Sequence, residues 1–267
     1  MGGFLIVNPH SGNGNATDEL LQAAQSRGIR VHVLEEGDDV PELARAADAD
    51  ALGIAGGDGS LAPVAEVALE RGLPFVCVPF GTRNHFARDI GLDRDDPVGA
   101  LDAFVHREER VIDVGRANGR LFLNNVSLGI YAQLVQRRER HRRRSDAFAR
   151  LRAFAILAQH RRPLGITIDG QPIPARVVLV SNNAYMLDVF SIGERERLDA
   201  GRLHLYIPTG LLRRTWVERE AERFEIGAAA GRLDAAVDGE PETLETPIEF
   251  TIEARVLRVL LPRDPGA

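Results

Sequence analysis

Gly56-Gly57-Asp58-Gly59-Ser60 sets one carboxylate and one hydroxyl among three glycines, directly after the apolar run Ala51–Ala55. Glycines let a backbone approach a bulky anion and adopt positive φ, so that successive N–H groups can point at phosphate oxygens. A carboxylate in such a turn has no packing role and could hold a magnesium ion or a proton. Two further stretches carry the same residue types: the Gly-, Asn- and Ser-rich loop from Asn8 to Asn15, and Pro79-Phe80-Gly81-Thr82-Arg83-Asn84. Strand-to-helix glycine turns are common, so the 56–60 segment by itself reads equally well as a tight turn.

The elements around these loops determine whether they meet. Phe4–Val7 is a short apolar run ended by Asn8-Pro9. Thr17 reads as the N-cap of a helix with Leu20, Leu21 and Ala24 on one face, closed by Gly28. Ile29–Leu34 alternates as a strand, Pro41 opens a helix through Ala47, and Ala51–Ala55 is a buried strand. Leu61–Arg71 is helical up to Gly72, and Leu73–Val78 is the next strand. This succession predicts a parallel sheet with helices on both faces, and such sheets bind ligands beyond the C-terminal ends of their strands. The loops 8–15, 56–60 and 79–84 would then gather at one edge.

From about residue 111 the pattern changes to strands joined by short turns: Val111–Val114, Arg120–Asn124, Leu164–Ile168, Ala175–Val180, Leu203–Ile207, a short strand at Ala236-Val237, Ile248–Ile252 and Val256–Leu261. Helices are expected near 146–160 and 211–221. The reading is an α/β nucleotide-binding domain over 1–110, followed by a mainly antiparallel β-sandwich or barrel over 111–267.

Composition narrows the chemistry. All 33 basic residues of this 267-residue chain are arginine, which removes the phosphate-binding lysine of P-loops, the kinase β3 lysine and any lysine Schiff base. The single Cys77, inside Phe75-Val76-Cys77-Val78, excludes an internal disulfide and reads as a small buried hydrophobe. A net charge of −6 gives no bulk attraction to nucleic acid. Met1–Phe4 has no basic leader and no run is long enough to span a bilayer, so a cytoplasmic location is expected. The histidines lack zinc-ligand spacing.

In order and spacing, Asn8-Pro9-His10-Ser11-Gly12, then Gly56–Ser60, then Pro79–Arg88, then Asn124-Asn125-Val126-Ser127-Leu128-Gly129 and finally Val237-Asp238-Gly239-Glu240 resemble the diacylglycerol kinase catalytic domain of bacterial soluble lipid kinases. Sphingosine kinases and NAD kinases belong to the wider superfamily. The resemblance implies an ATP- and Mg²⁺-dependent kinase of a lipid hydroxyl, with an α/β nucleotide domain and a β-sandwich domain. It implies nucleotide contacts at Asn8, Ser11, Gly12, Gly56, Gly57, Gly59, Ser60, Gly81, Thr82 and Asn84. It also implies catalytic roles for Asp58, Asp113 and Glu240, with metal contacts at Asp58 and Asp238. Either Glu240 or Asp58 would act as the base.

Three positions depart from the family pattern. His85 stands where an aspartate is usual, which bears on metal binding or substrate choice. Ser60 replaces a threonine and keeps its hydroxyl. Ala200, in Leu198-Asp199-Ala200-Gly201, removes a carboxylate that some members use for a structural Mg²⁺, so a plain turn is expected there. Residues 137–162 hold ten arginines against Glu139 and Asp146, a balance of +8. They lead into an apolar helical face at Ala147, Leu151, Phe154 and Ala158. That pattern suits an anionic membrane surface, and equally a solvated charge run beside a packed helix. The expected partners are thus a lipid substrate and an anionic membrane, not nucleic acid, with a homodimer left open. Two alternatives stand beside the lipid kinase: a kinase of a soluble acceptor such as NAD, and a catalytically silent nucleotide- or membrane-binding module.

Overall fold

The apolar runs of the N-terminal third form a parallel sheet: β1 (Gly3–Val7), β2 (Arg30–Val33), β3 (Ala51–Gly56) and β4 (Phe75–Pro79), in the order β2-β1-β3-β4. The computed structural model describes residues 2–11, 14–82, 84–129, 163–186, 194–207 and 216–263. Helices α1 (Gly14–Ser26), α2 (Val40–Ala46), α3 (Asp58–Glu70), α4 (His85–Asp89) and α5 (Pro97–Ala100) connect and follow these strands. The side-chain alternation explains why β1, β3 and β4 read as unbroken apolar segments. Leu5, Val7, Ala55, Val76 and Val78 pack with Leu20 and Ala24 of α1 and Leu101 on one face. Ile6, Leu52, Ile54, Phe75 and Cys77 are buried on the other, the side where α3 contributes Leu61, Val64 and Ala68. Burying a side chain such as Leu or Phe contributes about 2 kcal/mol, so these faces dominate the stability of this unit.

Twelve strands follow among the described residues. β5 (Arg107–Ala117) pairs with β6 (Arg120–Phe122); next come β7 (Asn125–Gly129), β8 (Ile166–Ile168), β9 (Gln171–Ile173), β10 (Val177–Asn182), β11 (Leu203–Ile207), β12 (Val217–Ala221), β13 (Arg223–Ala228), β14 (Arg232–Val237), β15 (Glu240–Glu245) and β16 (Ile248–Pro262). A six-stranded antiparallel sheet has the order β12-β11-β10-β7-β14-β15. It faces a second layer in which β13 pairs antiparallel with β8 and with the N-terminal half of β16. Val126, Val180, Leu205 and Val237 from one layer and Phe122, Ile168, Phe224 and Phe250 from the other share one core, with Phe122 and Phe250 edge to face at 6.4 Å. The chain is therefore an α/β unit with a mostly parallel sheet, plus an antiparallel β-sandwich. The compact units are Met1–Val114 with Glu194–Ala200 and Ala254–Ala267, and Gly115–Gly193 with Gly201–Glu253. Segments 194–200 and 254–263 thus cluster with the first unit, where a cut after residue 110 leaves them in the second.

Three local expectations are corrected. Thr17 lies inside α1, which starts at Gly14, because nothing in the preceding residues forbids the helix from extending backward. Helix α3 starts at Asp58, so Asp58, Gly59 and Ser60 form its first turn and not a loop. Val217–Ala221 is a strand where a helix was expected over 211–221. It pairs with β11 from Leu203↔Ala221 to Ile207↔Val217, and its Glu and Arg side chains lie on the last strand of that sheet among the described residues. Residues 211–215 and the expected helix at 146–160 lie outside the described residues.

Candidate functional site

The register levels the strand ends: Val7 lies beside Ala55, Ala55 beside Val78 and Gly56 beside Pro79. The three loops therefore leave the sheet together. Asn8 N–H donates to the Ala55 carbonyl (2.9 Å) and Phe80 N–H to that of Gly56 (3.1 Å), tying the first and third loops to the end of β3. Asn8 also folds its own loop. Its Oδ1 accepts from His10 N–H (3.0 Å), and its carbonyl accepts from Ser11 N–H (3.2 Å). Gly12 lies outside the described residues.

None of Gly56, Gly57, Gly59 and Gly81 has a positive φ, so the expected left-handed nest is absent at these positions. The glycines serve closeness instead. A Cβ on Gly81 would sit 2.5 Å from Gly57 Cα and 2.9 Å from Asn84 Oδ1, and one on Gly56 would collide with Ser60 Oγ. The second and third loops thus touch backbone to backbone. The Ser60 hydroxyl donates to the Gly57 carbonyl (2.7 Å). What remains for an anion is the start of α3, where a helix presents N–H groups and the positive end of its dipole.

Asp58 links the loops. Its Oδ2 accepts from His85 N–H (3.0 Å) and its Oδ1 from Phe86 N–H (2.9 Å), capping α4 from 27 residues away. Asn84 adopts a left-handed φ of 47°. Its Oδ1 accepts from Gly81 N–H (2.9 Å) and its Nδ2 donates to the carbonyls of Gly81 (3.0 Å) and Arg94 (3.3 Å). Asn84 is buried, so in this structure it shapes the third loop; Thr82 and His85 are exposed. Cys77 is buried beside this region. Burial first, and then the charge of Asp58, pushes its thiol far above the ordinary range and keeps it neutral.

Asp113 is fully buried in β5. Its N–H donates to the Leu198 carbonyl (2.7 Å), and its Oδ1 accepts from Arg255 N–H (2.7 Å), at the point where β16 carries a left-handed φ of +54°. Asp199 pairs with Arg197 Nη2 at 3.0 Å and with Arg255 Nη2 at 3.5 Å. The Arg197 hydrogen bond holds the Asp199 carboxyl below its usual range despite partial burial. Guanidinium groups thus engage Asp199, and Gly201, two residues on, has a left-handed φ of 68°. Among the described residues, no group of three acidic, histidine or cysteine side chains is arranged to hold a metal.

In the β-sandwich unit, Asp238 and Gly239 form the two-residue turn between β14 and β15, with φ of 48° and 95°. Glu240 opens β15 with its side chain exposed. The Asp238 carboxylate, where the resemblance implies a metal contact, is engaged by backbone N–H groups. Oδ2 accepts from Leu123 N–H (2.8 Å), and Oδ1 accepts from the N–H groups of Asn124 (2.7 Å) and Asn125 (3.0 Å). Asp58 and Asp113 belong to the first unit, Asp238 and Glu240 to the second.

Two constellations escape sequence reasoning. In the first unit Asp89 is buried between Arg88 (Nη2 2.7 Å) and the fully buried Arg195 (Nε 2.7 Å), fixing α4 to the 194–200 segment. In the second, Asn182 donates from Nδ2 to the Leu123 carbonyl (3.1 Å) and Asn183 Nδ2 to Asn182 Oδ1 (3.0 Å), while Asn125 Nδ2 donates to the Tyr185 hydroxyl (2.7 Å). The only local signal was Ser181-Asn182-Asn183, a polar triplet ending an apolar strand.

Residues 3–117 match the family model described as "Diacylglycerol kinase catalytic domain". A "Diacylglycerol kinase" of Mycobacterium tuberculosis is 30% identical over 197 residues, which is 69% of this chain and 61% of the relative. A "Diacylglycerol kinase" of Bacillus subtilis is 30% identical over 141 residues, 49% of this chain and 46% of the relative. In these matches the chain spans less than two thirds of the relatives' length. A Pseudomonas fluorescens protein named "Probable lipid kinase YegS-like" is 28% identical over 98% of this chain and 95% of its own length. A solved diacylglycerol kinase structure from Bacillus anthracis shares the fold, with a TM-score of 0.69 at 19% identity over 98% of this chain and 97% of that one.

Proposed function

We propose that the chain transfers the γ-phosphoryl group of ATP to the hydroxyl of a lipid, most simply diacylglycerol, a reading supported by the match of residues 3–117 to the diacylglycerol kinase catalytic domain model. One observation supports this most: the loops that begin at Asn8 and after Pro79 and the Gly56-Gly57 step into α3 leave level strand ends beside the first turn of α3. Phosphoryl transfer asks mainly for positioning and charge neutralisation, which backbone N–H groups, arginines and a cation supply without lysine.

In this reading Asn8, Ser11 and the 56–60 and 81–84 stretches cradle the nucleotide. The Asp58 carboxylate already accepts two N–H bonds, one on each oxygen, and each oxygen keeps a further lone pair. It fits Mg²⁺ as one ligand among nucleotide phosphates and waters, the way Mg²⁺ is usually held. The ion would neutralise phosphate charge. Glu240 would accept the proton of the acceptor hydroxyl, and Asp113 would hold the left-handed residue Arg255 within β16. The arginine-rich stretch 137–162, outside the described residues, would bring a cytoplasmic protein to an anionic membrane surface at about 1 kcal/mol per basic residue. Among the described residues, no helix is long and apolar enough to cross a membrane.

The test is pure protein with γ-labelled ATP, Mg²⁺ and a panel of hydroxyl lipids in micelles, beside NAD in plain buffer. Label entering a lipid supports the reading. Label entering only NAD moves the chain to a soluble acceptor. Tight ATP binding with no transfer, unchanged by Glu240→Gln, makes it a silent module.

A further inference from the structure

We infer that Asp238 is a positioning residue that fixes the placement of Glu240, in place of the metal contact implied by resemblance; this rests on the kinase reading above. Its carboxylate accepts from three consecutive backbone N–H groups, those of Leu123 (2.8 Å), Asn124 (2.7 Å) and Asn125 (3.0 Å), and the residue is buried. These three donors occupy both acceptor sites of Oδ1 and one of Oδ2, where the two on Asp58 leave a site open on each oxygen, so Asp238 has less capacity left for a cation. They also dictate the residue type. A two-residue turn with positive φ accepts asparagine as readily as aspartate, but three donors on two oxygens require a group that only accepts. An amide would turn an NH₂ toward at least one of them.

The segment that Asp238 grips is itself held from the other side. Asn182 donates from Nδ2 to the Leu123 carbonyl (3.1 Å) and from its N–H to the Asn124 carbonyl (3.0 Å). Asp238 closes the ring by donating its own N–H to the Asn125 carbonyl (2.9 Å). Residues 123–125 are therefore a fixed reference, and Asp238 ties the β14–β15 hairpin to it by side chain and main chain. Glu240 lies two residues on, across the turn from Val237, as the first residue of β15. A carboxylate on an exposed hairpin start has few contacts of its own, so the accuracy of its placement comes from the turn. A misplacement of about 1 Å at a reacting group can cost about a hundredfold in rate.

The experiment is a double-mutant cycle with Asp238→Asn and Glu240→Gln, read as kcat, KM for ATP and the Mg²⁺ concentration giving half-maximal rate. Asparagine tolerates the left-handed φ, so the turn itself is not the variable. Asp238→Asn should lower kcat about tenfold or more, leaving KM for ATP and the Mg²⁺ requirement within about twofold. On the Glu240→Gln background the same substitution should change the residual rate by less than about twofold, because the residue acts through Glu240. A raised Mg²⁺ requirement with kcat recovered at high Mg²⁺ would make Asp238 a metal ligand and overturn the inference. Equal losses on both backgrounds would make it a general scaffold residue, with the same consequence. If the wild-type protein transfers phosphate to no acceptor, the kinase reading fails separately. Amide hydrogen exchange then decides the clamp: in Asp238→Asn, exchange at Leu123–Asn125 and at Glu240 should rise together, and an unchanged Glu240 amide overturns the coupling.

Discussion

Replacing Gly81 with alanine adds a single methyl group where the structure has no room for it. The new carbon would lie 2.5 Å from Gly57 Cα, 2.9 Å from Asn84 Oδ1 and 3.0 Å from Gly57 N. Comfortable carbon–carbon contact is about 3.5–4.0 Å, so the second and third loops must part by about 1 Å or more. Overpacking of this kind costs about 1–3 kcal/mol in stability. A displacement of that size in the loops proposed to hold phosphate should lower kcat/KM for ATP by about a hundredfold. Gly57→Ala is the internal control. Its Cβ would meet only Gly81 Cα at 3.6 Å, an ordinary contact, and its φ of −86° suits any residue. The control should cost at most about 1 kcal/mol, the scale of a changed helix N-cap. Urea unfolding and steady-state kinetics on both variants give the comparison. Equal losses in the two variants, or an unchanged kcat/KM in Gly81→Ala, would refute the claim that close approach, and not positive φ, is what these glycines provide.

Other outcomes follow from the same structure. Asp58→Asn keeps the shape but cannot accept from both His85 and Phe86 N–H; losing one such charge-assisted bond should lower stability by about 1.5–3 kcal/mol in urea unfolding. Asp199 has a carboxyl pKa depressed by Arg197, so its stabilising contribution is present above the ordinary carboxylate pKa of about 4 and is lost as pH falls through the lower folded value. Asp199→Asn should therefore be less stable than wild type at neutral pH, and the two should converge in acid; a constant gap across that range would contradict the pairing. Cys77 should resist thiol reagents in the native protein at pH 8 and react fully in denaturant, since its thiol is buried and held neutral. Rapid labelling of the native protein would show that the strand between Phe75 and Pro79 is open.

Much of the first unit was legible because its strands are buried on both faces. Phe4–Val7, Ala51–Ala55 and Phe75–Val78 read as unbroken apolar runs, and a parallel sheet brings the loops after them to one edge. The start of α3 was not legible, because the glycines on either side of Asp58 look like loop residues while tertiary contacts make them the first helical turn. Strand β12 was missed since Val-Glu-Arg-Glu-Ala at a sheet edge carries charge on both sides and mimics a helical surface pattern. The roles of the carboxylates were the least legible. Asp58 caps a helix 27 residues away, Asp89 meets Arg195 across 106 residues, and Asp238 grips amides more than 110 residues earlier. No periodicity records such pairings. The residue types drew attention to these positions, and the partners that set their chemistry came only with the fold.

The most direct test of the central claim compares γ-labelled with α-labelled ATP on vesicles containing diacylglycerol, followed by organic extraction. Lipid phosphorylation predicts label in the extracted lipid from the γ position alone, at a rate proportional to protein and abolished without Mg²⁺. Absence of extractable label from either nucleotide, with diacylglycerol and with every other hydroxyl lipid offered, would contradict it.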